Sequence, residues 1–357
     1  MNFAYRFPAV RGIQSNREYY ISMVPMKLLS KLFPEEEETL QPEYRAQRKI
    51  NELRIPEIRD YIVNNRDSYV FSALSASIDG EFEYKPSDVN KDVGILEVNM
   101  EATFLINDGQ HRKAAIEEAI KEDPTIGDET ISIVFFKDEG LLKSQQMFTD
   151  LNKHAVKTSN SLSTLYDSRD ALAVATKKVI ESVPFLKKYT DKERDNLGKN
   201  SLNLFTLTSI YRANSKILHS DCTEEDTRFL ISFWNDIADN IPEWTELQKK
   251  LLTKKDLREN YITTLAITMY AFGRLGRYFY DNRSIDMNDY LCKLRDIDWL
   301  RSNQENWQGR AIQNDGKIKN NEEAVILTCS KIKQLIGIPL SKEEKAKEQQ
   351  LIEKNKS

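Results

Sequence analysis

The residues Asp108 to Arg112, which read Asp-Gly-Gln-His-Arg, place four hydrogen-bonding or charged side chains beside a glycine. A short apolar run, 103–106, precedes them and is typical of the end of a buried strand. After them, apolar residues recur at helical spacing, which predicts a helix that begins at about Gln110. The pattern therefore predicts a strand, a tight Asp-Gly turn and a helix.

This turn has two interpretations. The first amides of a helix lack intrahelical partners and attract anions, and Arg112 and His111 would reinforce a phosphate site there. Alternatively, the turn is an ordinary connection in which Asp108 caps the helix and Arg112 pairs with a nearby carboxylate. The residue types alone leave both interpretations open.

Catalysis at this turn would need particular roles for three side chains. Asp108 could hold Mg²⁺ or a water, His111 could move a proton near neutral pH, and Arg112 could stabilise phosphoryl charge. Against catalysis at this turn, the sequence shows no Walker-type phosphate loop, His-Asn-His pattern or cluster of metal carboxylates, and no metal site is predicted.

The elements that would position the turn indicate a mixed α/β sheet over residues 1–160. Strands are predicted at 19–25, 69–78, 96–100 and 131–136, with Asp79-Gly80 as a hairpin turn into residues 81–84. Helices are predicted at 26–33, from Pro56 onward and at 141–151. The last of these helices would carry the polar residues Gln146, Asp150 and Asn152 near one end.

Residues 161–357 favour a second, mainly α-helical domain. Long helical patterns cover 171–183, 223–237, 241–252 and 257–280. Residues 209–214 lie on a further helix that could recognise DNA, although a packed structural helix is the better interpretation. Gly273 and Gly276 are predicted to permit close packing between helices.

A late segment mixes aromatic and basic residues around Asn314-Asp315-Gly316, which predicts a small β-hairpin. Aromatic rings stack on bases or sugars while Arg and Lys neutralise phosphates, so this hairpin could act as a DNA-binding wing. The residues in question are Arg301, Trp307, Arg310, Lys317 and Lys319. The competing interpretation places Trp299 and Trp307 in the core and leaves the charges merely exposed.

Charge differs between the two halves of the chain. Residues 1–166 contain 20 Lys and Arg against 27 Asp and Glu, net −7, whereas the remainder has 32 against 29, net +3. A surface for double-stranded DNA is therefore expected on the second half. No apolar run is long enough for a membrane span, and three scattered cysteines argue against disulfides, so we expect a cytoplasmic protein.

The pentapeptide is the signature of the DGQHR proteins, and its surroundings resemble the DndB family of DNA sulfur modification proteins. The resemblance spans nearly the whole chain. It rests on these further motifs: Gln47-Arg48, Arg54-Ile55, Tyr61-Ile62, Gln146-Met147-Phe148, Asp150-Leu151-Asn152, Leu165-Tyr166-Asp167, Trp307-Gln308-Gly309-Arg310 and Leu335 to Leu340.

The order of elements is also similar, more distantly, to the ParB and sulfiredoxin-like superfamily, whose comparable strand-turn-helix carries Gly-Glu-Arg-Arg and binds nucleotide. This chain has Gly-Gln-His-Arg instead, which puts the nucleotide chemistry in doubt. The resemblance implies that Arg48, Arg54, Gln146, Asp150 and Asn152 help to frame a cleft beside the Asp108 to Arg112 turn.

The resemblance implies a DNA-binding transcriptional regulator, a repressor, of a bacterial DNA phosphorothioate modification system. The alternative is a nucleotide hydrolase or DNA nickase of the same system, with ATP and Mg²⁺ at the Asp108 to Arg112 turn. Expected partners are double-stranded DNA and other DNA sulfur modification proteins, and a homodimer stays open. A third interpretation, an interaction subunit that bridges modification enzymes, has no motif of its own.

Overall fold

The computed structural model describes residues 3–34, 51–153, 158–198, 201–218, 221–313 and 315–356. Its contacts divide the chain into two compact units, Met1–Val156 and Lys157–Ser357. The sequence analysis placed this boundary near residue 160. Arg48 lies outside the described residues.

The N-terminal unit is built on a seven-stranded mixed sheet. Its strands are β1 (Ala4–Gln14), β2 (Arg17–Pro25), β3 (Leu74–Asp79), β4 (Phe82–Pro86), β5 (Val93–Asn99), β6 (Thr103–Asp108) and β7 (Thr130–Lys137). The strand order is β4-β5-β1-β2-β7-β3-β6, and only the β3–β7 pair is parallel. The predicted mixed α/β sheet is thereby confirmed.

The α-helices described in the same unit are α1 (Leu29–Leu32), α2 (Ile55–Asn64), α3 (Gln110–Glu122) and α4 (Leu141–Lys153). Pro56 lies in the first turn of α2, where its missing N–H costs nothing, as predicted. Alternate residues of the strands face the core together with Leu29, Ile62 and Ile116. Since α3 follows β6 directly, this core fixes the position of the turn between them.

Two predictions about the strands were wrong. Asp79-Gly80 does not form a hairpin, because β3 pairs with β6 and β7, whereas β4 pairs with β5 near the opposite edge of the sheet. Gly80 has φ +135° and turns the chain away from β3. The turn was therefore predicted correctly, but the strands on either side of it do not pair with each other. The strand predicted from Tyr69 begins only at Leu74, and β1 was not predicted at all.

The C-terminal unit is mainly helical, as predicted. Its helices are α5 (Asn160–Tyr166), α6 (Ala171–Ser182), α7 (Pro184–Tyr189), α8 (Leu207–Ile217), α9 (Glu224–Asn240), α10 (Pro242–Gln248), α11 (Lys254–Asn260), α12 (Ala266–Asp281), α13 (Asn288–Leu291), α14 (Gln304–Trp307), α15 (Glu322–Ile336) and α16 (Lys342–Lys356). Two short strands, β8 (Thr190–Asp191) and β9 (Phe205–Thr206), pair in parallel.

Helix α12 packs closely on α8, and its glycines make this possible. A Cβ on Gly273 would lie 2.3 Å from the carbonyl oxygen of Ala213, and one on Gly276 would lie 2.7 Å from Ile217. The prediction of close helix packing is confirmed. Helix α8 is a packed structural helix rather than an exposed recognition helix, since its Asn214 is buried and bonds Thr176 and Trp234.

The single helix predicted over 257–280 is wrong, because the chain leaves helical conformation between α11 and α12. There the backbone N–H of Ile262 donates to the carbonyl of Trp299, and Arg301 donates its N–H to the carbonyl of Asn260. These contacts with a distant segment replace the helical hydrogen bonds that the local apolar spacing predicted.

Candidate functional site

The turn between β6 and α3 has the predicted form of strand, glycine turn and helix. Strand β6 ends at Asp108, and α3 begins at Gln110. Gly109 between them has φ +110°, and a Cβ there would lie 2.3 Å from Cδ2 of Leu74. Glycine is therefore required twice, for its left-handed backbone and for the close approach of the neighbouring strand.

The guanidinium of Arg112 bonds to the chain that leads into β3. Nη1 donates to the carbonyl oxygens of Ser72 (2.6 Å) and Ala73 (2.9 Å) and to the Ser72 hydroxyl (2.5 Å). Nη2 forms a salt bridge of 2.6 Å with Asp108. Arg112 therefore ties the turn to the start of β3 and pairs with a carboxylate, as the second interpretation of the turn proposed.

Asp108 differs from that interpretation in one respect. The N-cap residue of α3 is Gly109, and no side chain accepts a hydrogen bond as its cap. The Asp108 carboxylate instead accepts from Arg112, one helical turn further along the chain. The charges of the two motif residues therefore neutralise each other locally, which weakens the attraction that either alone would exert on a ligand ion.

Gln110 and His111 also bond within the chain. The carboxamide of buried Gln110 donates to the carbonyl of Ile106 (3.2 Å), which closes the turn on its own strand. Nε2 of His111 accepts from the backbone N–H of Asn51 (2.9 Å), so in this arrangement Nε2 carries no proton. Asn51 caps the 3₁₀ turn Glu52–Arg54, whose last residue, Arg54, is exposed.

Asn107, the residue just before the pentapeptide, was not among the predicted site residues. Its side chain has no exposed surface, and its Nδ2 donates to the Ser77 hydroxyl (2.7 Å) and approaches the sulfur of Met147 on α4 (3.2 Å). In the described residues its Oδ1 has no hydrogen-bond partner. The sequence signal for this contact was a polar Asn near the end of an apolar strand, where its side chain would be buried.

A cleft of about 1330 Å³ lies beside α4 in the N-terminal unit. Gln146 and Asp150, joined by a 2.7 Å hydrogen bond, are among its lining residues, together with Ser77 and Met147. None of the residues Asp108 to Arg112 lines this cleft. Asn152 lies on the same helix, and Arg54 lies on the His111 side of the motif. The predicted site residues are thus divided between a cleft and a separate turn.

The cleft is acidic. Seven Asp and Glu residues line it against three Lys and Arg, a difference of four negative charges: Glu18, Glu81, Glu83, Glu97, Asp138, Glu139 and Asp150 against Arg17, Lys137 and Lys143. A hydrogen bond from Lys85 keeps the pKa of Glu97 below its usual value, so this carboxylate is ionised at neutral pH. Such a surface repels phosphate groups.

The late segment of the C-terminal unit forms a minimal hairpin. The backbone N–H of Gln313 donates to the carbonyl of Lys317, and that of Lys319 donates to Ala311, around an antiparallel bridge between Ile312 and Ile318. No strand of two or more residues is assigned within the described part of this segment. The turn chemistry was thus predicted, while a regular two-stranded ribbon is absent from these residues.

Trp307 belongs to the core of the C-terminal unit. Its side chain is fully buried, its ring stacks on Trp299 with centroids 5.3 Å apart, and its indole N–H donates to the carbonyl of Asp298. A ring with no exposed surface is not available to stack on a base. The interpretation that places both tryptophans in the core describes this structure.

The four predicted basic contacts differ in what they bond. Arg301 donates to the backbone carbonyls of Arg258 and Tyr261, and burial lowers its pKa. Arg310 forms a buried salt bridge of 2.6 Å with Glu348. Lys319 pairs with Glu323, whereas Lys317 is 80% exposed and pairs only with Asp315. Lys317 is therefore the most accessible of the four.

The described part of the chain contains neither a metal-site cluster nor a membrane-spanning helix. No group of three or more His, Cys, Asp or Glu side chains there has the arrangement of a metal site. None of the helices described is both long enough and apolar enough to cross a bilayer.

The fold and the turn define a class: a mixed-sheet α/β unit, with a strand-turn-helix tied together by its own arginine, followed by a mainly helical unit. Residues 7–339 match the DndB family, described as DNA-sulfur modification-associated. The chain belongs to this family. No curated protein and no solved structure gave a significant match.

Proposed function

We propose that the chain is a DNA-binding transcriptional regulator, a repressor, in a bacterial DNA phosphorothioate modification system. Membership of the DndB family supports the association with DNA sulfur modification. The distribution of charge supports direct contact with double-stranded DNA, since residues 167–357 carry a net charge of +3 against −7 for the residues before them.

The observation that carries the proposal is the way each unit uses its basic side chains. In the N-terminal unit, ten of the fifteen Lys and Arg residues whose side chains the structure describes lie in salt bridges: Arg6, Arg11, Arg17, Lys27, Arg59, Arg66, Lys85, Arg112, Lys113 and Lys121. The described C-terminal unit exposes more lysines without a salt bridge than the described N-terminal unit does, and such cations can neutralise phosphates without first breaking an ion pair.

The proposed regulator would contact DNA with its C-terminal half, including Lys317 and Lys319 near the backbone, where phosphates would replace their carboxylate partners Asp315 and Glu323. Arg301 and Arg310 would stabilise this surface rather than contact DNA, because their guanidinium groups bond within the chain. Replacing Arg310 would leave the buried carboxylate of Glu348 without its partner, so a loss of binding in that variant would not report on DNA.

The alternative function, a nucleotide hydrolase or DNA nickase at Asp108 to Arg112, gains no supporting contact. Arg112, which would stabilise phosphoryl charge, already bonds Asp108 and the segment Ser72-Ala73. The residues as arranged therefore do not present a cation to ATP and Mg²⁺. Calorimetry with ATP, CTP and GTP tests this directly, because equal weak heats for wild type and an Arg112→Ala, His111→Ala double variant would remove the alternative.

The main test uses the full-length protein and two duplexes of equal length, one from upstream of its own coding region and one of random sequence. We expect both to be retarded in a gel, the first more strongly, with affinity falling steeply as salt rises. Absence of any retardation at about 50 mM salt, where phosphate contacts are strong, would contradict the proposal.

A second measurement places the surface. The variant Lys317→Gln, Lys319→Gln should reduce the slope of log affinity against log salt by roughly two, because about one counterion is released per phosphate contact. If that variant behaves as wild type while replacing Arg48 and Arg54 abolishes binding, the DNA surface lies on the N-terminal unit.

A further inference from the structure

A second group of basic residues, which the sequence analysis did not single out, lies where α10 ends and α11 begins. Lys249, Lys250, Lys254 and Lys255 occupy four of the seven positions in the segment Lys-Lys-Leu-Leu-Thr-Lys-Lys. All are exposed except Lys254, which is half-buried. The segment 249–255 is called the lysine loop below.

The lysine loop has a defined backbone at both ends. At its start, Lys250 donates its N–H to the carbonyl of Leu247, and Leu251 donates to Glu246, which is the hydrogen-bond pattern of a helix end closed by a left-handed residue. At its end, the Thr253 hydroxyl accepts from the N–H of Asp256 and begins α11. Four lysines are therefore held in one place at little further cost in backbone entropy.

Lys250 is the left-handed residue, with φ +61°. Glycine is preferred at this position, and a residue with a Cβ costs roughly 1 kcal/mol there. Glu246 and Leu247 would make the same helix end with glycine in this place. A lysine at a position that favours glycine suggests that its charge is needed.

Among the described residues, no salt bridge neutralises the charge of the lysine loop. In the residues that the structure describes, none of the four lysines forms a salt bridge, although such pairs are common elsewhere in this unit. The nearest acid along the chain is Asp256, whose carboxylate accepts from the N–H and hydroxyl of Thr253, and these bonds lower its pKa. Over residues 249–256 the net charge is thus +3.

We propose that the lysine loop binds the sugar–phosphate backbone of duplex DNA. This inference rests on the proposed function, and it names a contact surface that lies outside the predicted hairpin. Lysine offers a compact charge without the forked geometry with which arginine reads guanine, and residues 249–255 include no aromatic side chain to stack on a base. The contact is therefore to phosphates and independent of sequence.

Leu251 is 72% exposed between the two lysine pairs, which is also a feature of loops that insert into anionic membranes. Duplex DNA is favoured here because the family is associated with DNA modification and a single exposed leucine buries little apolar area. Binding to lipid is therefore made an outcome of the test.

The test compares two full-length variants with the same change in net charge. In the loop variant Lys249, Lys250, Lys254 and Lys255 are replaced by Gln. In the control variant Lys31, Lys91, Lys137 and Lys143 are replaced by Gln, all exposed lysines of the N-terminal unit with no salt bridge in its described residues. Fluorescence anisotropy with a labelled random duplex is measured from low to high salt, after circular dichroism has shown equal folding and thermal midpoints.

We expect the loop variant to bind at least about tenfold more weakly near 0.1 M salt, with a log–log slope reduced by about three to four, since each phosphate contact contributes about 0.9. The control variant should stay within about twofold of wild type, since its four lysines make no phosphate contact in this proposal. The Lys250→Gly variant, which keeps the backbone and removes one charge, should lower the slope by about one.

Five outcomes decide the matter. Selective weakening of the loop variant supports the proposal. Equal binding by the loop variant and wild type would show that the lysine loop does not contact DNA, although the protein still binds DNA. A stronger loss of binding in the control variant would show that the DNA-binding surface lies on the N-terminal unit. If wild type binds no duplex at all, the proposed function fails as well. If the loop variant loses binding to vesicles of phosphatidylserine and phosphatidylcholine but not to DNA, the loop is a lipid contact and the proposal is overturned.

Discussion

In the N-terminal unit the side chains of the most conspicuous motif, Asp108 to Arg112, are bonded to neighbouring groups of the same chain. In the C-terminal unit, by contrast, the side chains of the inconspicuous lysine loop form no salt bridge within the described residues. Arg112 has four acceptors around it, and Lys250 has no ion-pair partner. Both are cations at the end of a helix. The comparison teaches that residue type suggests a chemistry, while the surrounding contacts decide whether the side chain is available for it.

The cleft of the N-terminal unit and the lysine loop of the C-terminal unit also differ in the sign of their charge. The cleft beside α4 is lined by an excess of four acidic residues, so it is unsuited to phosphate although it lies in the unit that carries the motif. The lysine loop has a net charge of +4, or +3 when Asp256 is included. Four substitutions can break or sharpen this comparison, and they follow in order of expected effect.

The largest effect is expected from Trp307→Ala. Removing a fully buried indole that stacks on Trp299 should lower the free energy of unfolding by about 3–5 kcal/mol. Urea denaturation followed by circular dichroism measures this. Trp307→Phe, which keeps a ring, should lose less stability and bind DNA as wild type does. Normal stability together with lost DNA binding in Trp307→Ala would instead make this tryptophan a DNA contact.

Gly109→Ala is expected to cost about 2–4 kcal/mol, the sum of a left-handed alanine and a Cβ in contact with Leu74. Thermal and urea unfolding report this loss. Gly140→Ala is a suitable control, since its φ is also positive but no atom lies within 4 Å of the added Cβ. A Gly109→Ala protein that unfolds like wild type would mean that the motif is more adaptable than its contacts indicate.

Glu243, in the C-terminal unit, should make the free energy of unfolding depend on pH. Burial raises its pKa from 4.5 to about 7, and its Oε2 has no hydrogen-bond partner among the described residues. The folded state therefore favours the protonated form, so its contribution to stability is complete below pH 4.5 and is lost as pH rises through about 7. Glu243→Gln should be more stable than wild type at pH 8 by about 1–2 kcal/mol, after allowance for solvent screening.

Unfolding of wild type and Glu243→Gln at pH 5 and pH 8 tests this sign. The gap between the two proteins should widen with pH, because only wild type has a carboxyl group to ionise. Glu246→Gln, on the same helix, removes a charge that also raises the pKa of Glu243, so it should reduce the effect of pH on wild-type stability without abolishing it. A gap that narrows as pH rises would show that Glu243 is stabilised in its ionised form.

The smallest effect is expected from Lys250→Gly, and its two readouts have opposite signs. Relief of the left-handed lysine should stabilise the protein by about 0.5–1 kcal/mol, while the loss of one charge should weaken DNA binding. Thermal unfolding and anisotropy measure both on one sample. Greater stability with unchanged DNA affinity would leave the left-handed lysine without the function that we assign to its charge.

Much of the fold followed from the sequence. The strand, the Asp-Gly turn and the helix from Gln110 were predictable because a turn, a β-branched run and helical spacing are all local signals. The helical character of the second half and the close approach at Gly273 were predictable for the same reason. Errors arose where pairing is not local, as at Asp79-Gly80, whose strand finds its partners in β6 and β7.

For the site, the sequence by itself determined which side chains could carry charge and where the backbone must bend. Only the tertiary structure decided which of these charges are neutralised by ion pairs and hydrogen bonds. Arg112 is neutralised by a carboxylate and carbonyls that its helix start brings within 3 Å, and Arg310 by a glutamate 38 positions away. The lysine loop keeps its charge because, in the described part of the chain, no acidic side chain forms a salt bridge with its lysines. An ion pair depends on distance in space, which the order of residues does not specify.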